Sequence, residues 1–242
     1  MRRDLVTVAG LVWCCTALTA GAQTVSITTC GESVPAGQTG VLDADLTCPG
    51  GPGTFGVLVE NRGTLDLAGH TLAGANAGVR CENRCVVTSS IGTGTIRDAE
   101  TAGIAALYER GVLEVSNVSL DDNLYALLAD FLHGKVFGTQ VTLTGSGIGI
   151  QARKIRLTGL TATGNYRVAQ ARKTMLTDST IADSGDTAIS GRAAVLNNSS
   201  VTGSASGIDL LTERRPRLIA STCGGSRNLS NPTDTWGVCT ND

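Results

Sequence analysis

Twice along the chain an arginine stands directly before a lysine, at Arg153-Lys154 and again at Arg172-Lys173. Lys135 precedes these pairs, and Arg192 and Arg214-Arg215 follow at similar spacing. Cations at regular intervals suit a ligand whose negative charges also repeat. Breaking an acidic polysaccharide by elimination asks for more: a cation on the carboxylate, a base for the neighbouring proton and an acid for the leaving oxygen. Lys135, Arg153 and Arg172 are candidate bases, and His133, in "FLHGK", is the histidine closest to them in sequence. The substrate-binding set is Lys135, Arg153, Lys154, Arg172, Lys173, Arg192, Arg214 and Arg215, which Arg167 and Arg217 could widen. Asp178, Asp183 and Asp186 form an acidic group that could hold calcium or supply paired carboxylates. The competing reading of these aspartates is that they serve as turn residues. His70, in "LAGHTL", reads as a packed structural residue.

Such side chains act together only if the backbone stacks them. The phrases "NVSLDDN" (117–123), "QVTLTGS" (140–146), "GLTATGN" (159–165), "DSTIADS" (178–184) and "NSSVTGS" (198–204) share one shape. Each has a small hydroxyl residue in third place, then an aliphatic residue or alanine, and ends on Ser or Asn. Extended outward, the hydroxyl position gives Thr47, Thr71, Thr95, Ser119, Thr142, Thr161, Thr180, Ser200 and Thr222. The steps run from 19 to 24 residues, the period of a solenoid. The next residue is apolar each time: Cys48, Leu72, Ile96, Leu120, Leu143, Ala162, Ile181, Val201 and Cys223. A second apolar column, four residues before the hydroxyl, runs through Leu67, Ile91, Val115, Leu157, Leu176, Leu196 and Leu218, with breaks at Asp43 and Gly138. Short stretches alternate with the period of a strand, and the segment after residue 22 shows no convincing helical period. The leucine-rich frame is absent, and the uneven steps do not fit a strict hexapeptide repeat. "GSGIGI" (145–150) lacks the helix that a nucleotide loop must open.

These readings converge on an all-β fold: a right-handed parallel β-helix solenoid of about nine coils, a rod about 43 Å long. The basic residues sit seven or eight places before the hydroxyl on five consecutive coils. They should therefore stack into a stripe with about 4.8 Å per step. Like charges so stacked repel one another, and an anionic polymer would relieve that repulsion. The alternative is a solvated face that discourages edge-to-edge aggregation.

On "GTLDLAGHTLAG" (63–74) and the Gly-Ile-initiated coil "GIAALYERGVLEVSNVSLDDN" (103–123), the chain resembles the pectate-lyase-like, right-handed β-helix repeat family. The resemblance covers nearly all of the chain after residue 22 and implies the fold. That fold hosts lyases, hydrolases, epimerases, adhesins and proteins without catalysis, so the resemblance alone implies no single activity. Many lyases of this fold use Asp-bound calcium with a Lys or Arg base, which makes calcium the cofactor to test.

The N-terminus reads as a signal peptide, residues 1–22: Arg2 and Arg3, an apolar stretch from Leu5 to Leu18, then Ala20-Gly21-Ala22. A lipoprotein reading at Cys14 is weakened by the bulky Trp13, and a retained anchor is the alternative. Residues 23–242 then form one domain, secreted, periplasmic or at the cell surface. Six cysteines remain: Cys30, Cys48, Cys81, Cys85, Cys223 and Cys239. An even set in an exported protein reads as disulfides, with fifteen possible pairings. Local pairs (30–48, 81–85, 223–239) are the simplest choice, and Cys48 and Cys223 would staple the first and last coils. Trp236 would fold back over the last coil as a cap, or serve as a sugar-stacking platform.

The 242 residues carry a formal net charge of −2 and only 3% aromatics. No global field selects nucleic acid, no membrane contact is expected once the signal is cleaved, and scarce aromatics leave few platforms for neutral sugars. No step exceeds 24 residues, leaving little chain for the long loops that wall a catalytic cleft. The expected function is binding or processing of an acidic polysaccharide. If the protein is an enzyme, a lyase or uronate-glycan hydrolase is expected; the alternative is a non-catalytic surface or interaction scaffold. Four glycosylation sequons, beginning at Asn117, Asn197, Asn198 and Asn228, matter only in a glycosylating host.

Overall fold

The computed structural model describes residues 23–239 apart from Leu107, Glu109 and Pro232. The signal peptide expected over residues 1–22 lies outside the described residues. All regular structure among the described residues is β-strand, stacked into a parallel solenoid of about nine turns. Only the last pairing, Thr222–Asn228 with Thr235–Cys239, is antiparallel.

One regular coil shows how the repeating phrase works. Strand Ile148–Thr158 runs along two faces, and Thr161–Thr163 forms the third. Between the second and third faces the chain bends at a single residue in the left-handed region. That bend falls on the first place of each phrase: Asn117, Gln140, Gly159, Asp178 and Asn198, with φ between 46° and 69°. A second left-handed bend falls on the sixth place: Asp122, Gly145, Gly164, Asp183 and Gly203. Gly, Asn and Asp tolerate this conformation best, which explains why a weak phrase recurs so regularly. It is a short strand held between two one-residue bends.

Within the phrase, places two, four and seven point inward. Place four supplies the stacked core: Leu72, Ile96, Leu120, Leu143, Ala162, Ile181 and Val201, all fully buried. Place two becomes a serine ladder toward the C-terminus. The N–H of Leu160 donates to Ser179 Oγ at 3.1 Å, that of Ser179 to Ser199 Oγ at 3.1 Å, and that of Ser199 to Ser221 Oγ at 3.0 Å. Each hydroxyl donates in turn to the carbonyl two residues earlier. Place seven carries buried amides: Asn165 accepts from the Ser146 N–H at 3.1 Å and donates to the Leu143 and Thr163 carbonyls. These side chains satisfy backbone groups at the bends, where the strand ladder is interrupted.

Four sequence expectations are corrected at the N-terminal end. Thr47 lies beside Ala73, not Thr71, so the first coil is offset by two residues. Cys48 accordingly faces Gly74 and does not share a repeat position with Cys223, which faces Val201. Ile91 is 68% exposed; Val87, opposite Leu65 and Val115, fills its place in the second apolar column. Gly40, not Asp43, stands opposite Leu65. The expected break at Gly138 is real and has a cause. A Cβ there would come within 2.3 Å of the Val115 carbonyl oxygen and 3.0 Å of Leu157 Cδ2.

Cys30–Cys48, Cys81–Cys85 and Cys223–Cys239 are bonded as local pairs. Trp236 lies on the antiparallel return strand, half-buried, with its indole N–H directed at the Thr212 carbonyl at 3.4 Å.

Candidate functional site

In strand Ile148–Thr158 the inward residues Ala152 and Ile155 are separated by two residues, Arg153 and Lys154, where alternation would allow one. The chain turns from the first face to the second here, so consecutive side chains both stay outside. The same pattern recurs at Arg172-Lys173 between buried Ala171 and Thr174. Each of these two coils therefore presents two cations at one corner.

The register sorts them into two columns. Lys135, Lys154 and Lys173 are direct neighbours on successive coils, and Ala193 interrupts the run. Between Thr212, opposite Gly191, and Arg217, opposite Val195, the next coil holds one extra residue, and the Arg214 N–H bonds the Arg192 carbonyl at 3.0 Å, which sets Arg214 beside Ala193 and leaves Arg215 outside the groove lining. The second column is Arg153, Arg172 and Arg192, and Glu213 follows it, its N–H bonded to the Gly191 carbonyl at 3.1 Å. Lys135, Arg153, Lys154, Arg172, Lys173, Arg192 and Arg214 line one open groove of about 540 Å³. Among the described residues only Arg192 has an acidic partner, Glu213 at 3.7 Å. Lys154 also sits 6.0 Å from the Phe137 ring centroid, within cation–π range.

The structure does not bring the other candidates into this groove. His133 lies on the turn before Lys135, 3.1 Å from Asp130, outside the groove lining. The Leu132 N–H, and after it the His133 ring, hold the Asp130 carboxyl below the ordinary carboxylate range. Arg167 pairs with Asp186, and Arg217 stands on the second face beside Val195. The three aspartates do not converge. Asp178 and Asp183 are the bends at opposite ends of strand Thr180–Ala182, roughly 16 Å apart along the chain. Asp178 accepts from the Asn198 amide at 2.6 Å. No group of three or more His, Cys, Asp or Glu among the described residues is placed to hold a metal ion. His70 pairs with Asp45 at 3.3 Å, away from the groove, in keeping with a structural role.

Two features escaped the sequence reading. The lysine column continues toward the N-terminus: Val112 lies between Lys135 and Arg84, and the Arg62 N–H bonds the Arg84 carbonyl at 2.6 Å. Counting back from the hydroxyl missed both arginines, because longer connections in those coils shift the count. Arg84 is already paired with Glu114 at 2.6 Å. The second feature is a charge division hidden by the total of −2. Residues 23–134 hold thirteen Asp and Glu against five Arg, whereas residues 135–242 hold twelve Lys and Arg against seven acids. The groove lies wholly in the positive part.

No family model, no curated protein and no solved structure matches this chain.

Proposed function

We propose that this protein is an exported β-helix of the right-handed, pectate-lyase-like type that binds a linear acidic polysaccharide along its cationic corner. The observation that carries this reading is the pair of cation columns on consecutive coils, of which only Arg192 has an acidic partner among the described residues. Unpaired like charges about 4.8 Å apart destabilise one another, and a ligand with repeating carboxylates or sulfates removes that cost. The groove is open and shallow, which suits holding a polymer more than enclosing one bond for reaction. Local disulfides are consistent with an oxidising compartment outside the cytosol.

The test is co-sedimentation and calorimetry of the purified protein with polygalacturonate, alginate and glycosaminoglycans, with and without calcium, alongside absorbance for unsaturated uronate. Binding that falls as salt rises is expected. Absorbance growth would convert the reading to a lyase, with Lys135, Arg153 and Arg172 as the bases to replace first. Stronger binding to DNA than to any glycan at equal ionic strength would overturn the ligand class. Absence of all binding at low salt would overturn the reading in favour of a scaffold.

A further inference from the structure

Toward the N-terminus the Arg153 column does not fade out; added chain takes its place. On the regular coils a single residue, such as Arg153, joins the first face at Ala152 to the second at Lys154. One coil earlier, Ala129 and Lys135 occupy those two places, and five residues, 130–134, lie between them. In the coil before that, Ala106 and Val112 occupy the two places, and Tyr108, Arg110 and Gly111 are the described residues between them. Both insertions therefore stand at the corner that carries the cations, on two adjacent coils, at the Lys135 end of the groove. Gly134 closes the second turn through its N–H to the Asp130 carbonyl at 2.6 Å, and the Asp130 carboxylate takes the Leu132 N–H at 2.9 Å. The turn is thus internally braced. Its apolar side chains are nevertheless turned to solvent: Phe131 is 37% exposed and Leu132 62%, with Tyr108 on the neighbouring turn 44%. Three exposed large apolar groups at the corner next to the Lys135 end of a polar groove are out of place in a chain with only 3% aromatics.

We infer that the 130–134 turn, with Tyr108 beside it, is an end-stop that receives the terminal sugar of an acidic glycan while the rest of the chain lies along the cation columns. The inference rests on the glycan reading above and adds polarity to it: the ligand is bound by its end. A sugar ring offers an apolar face of C–H groups, which an aromatic or leucine side chain covers. Its acid groups then meet Lys135, Arg153 and the later cations in succession. A ligand gripped in mid-chain would have to climb over the turn.

The experiment is a length series of purified oligogalacturonates, short, medium and long, titrated into the intact protein by calorimetry at low salt. End recognition predicts one protein per glycan chain at every length. It also predicts that Phe131→Ser with Leu132→Ser weakens binding of the short oligomer about tenfold, with an unchanged thermal midpoint, because both side chains are exposed. Protein molecules per chain rising with length would overturn the end-stop and leave the glycan reading standing. Unchanged affinity in the double variant would also overturn it. Failure of every length to bind would instead remove the reading beneath it. If binding of the short oligomer proves unaffected while the double variant loses affinity for lipid vesicles or proteins, the turn serves a different partner and the end-stop is refuted.

Discussion

In the coils up to Gly134, carboxylates are spent on nearby groups. Glu32 accepts from Thr28 and Thr29, Asp45 from the Thr71 N–H, Asp66 from the N–H groups of Ala68 and Ser90, and Glu114 pairs with Arg84. Many bend and turn contacts there are charged. In the coils from Lys135 onward, much of the corresponding work falls to neutral side chains, Ser179, Ser199 and Ser221 at one bend and Asn165 at the other, with buried Asp209, which accepts from the Ser204, Gly224 and Gly225 N–H groups, as a charged exception near the C-terminal end. Most of the cations at one corner of that part are left without an acidic partner among the described residues. The contrast separates two uses of polar residues. A charge already matched by neighbours holds the fold, and one without a match is available to a ligand.

The sharpest way to break this comparison is to replace Arg153, Lys154, Arg172 and Lys173 together by Ser. Polyanion binding should vanish, with the melting temperature little changed, whereas Arg62→Ser with Arg84→Ser should leave most binding in place. If the N-terminal pair matters as much, the two regions do not differ as described. A smaller effect is expected at the C-terminal cap. Removing the Cys223–Cys239 bond by a double Ser replacement should cost roughly 3 kcal/mol in denaturant unfolding, given the short loop it closes.

Next comes the serine ladder. Ser199→Ala leaves the buried Ser179 N–H without its acceptor and should cost about 1–3 kcal/mol, with hydrogen exchange accelerated at Ser179. Gln140→Gly works in the opposite direction. Gln140 has φ 52°, and glycine there should stabilise by about 1 kcal/mol, as Gly159 already does at the equivalent bend. The smallest effect belongs to pH. Burial opposes ionisation of Asp66, but hydrogen bonds from Ser90 and Ala68 outweigh it and set the carboxyl below its ordinary 3.8. Its contribution is therefore complete above that value and lost as pH falls through the lower folded one. Asp66→Asn should flatten the acid limb of a stability–pH curve measured below about pH 4.

The spacing of residues carried much of this fold. Nineteen-residue steps between Thr142, Thr161 and Thr180 put the core column and both cation pairs in register without any structure. It failed where connections lengthen. Ile91 sits four residues before Thr95, as the count demanded, yet the longer connection after Thr88 carries it out to solvent and leaves Val87 inside. The same arithmetic hid Arg62 and Arg84. The aspartates misled for another reason: Asp178 and Asp183 are near in sequence because a short strand separates two bends, and a strand carries its ends apart. The apolar turn at 130–134 was overlooked because it adds only four residues to its coil, too few to register as a loop in a repeat with uneven steps.

The doubled outward position at the corner has a consequence for how the molecule meets salt. One cation per coil would give a charge every ~4.8 Å; with two on the doubled coils the stripe averages about one every 3 Å, within a factor of two of duplex DNA at ~1.7 Å. A line so dense gathers small anions from the buffer before any polymer arrives. Binding then exchanges many small ions for one large one, and their dispersal into bulk solution becomes the main source of favourable free energy.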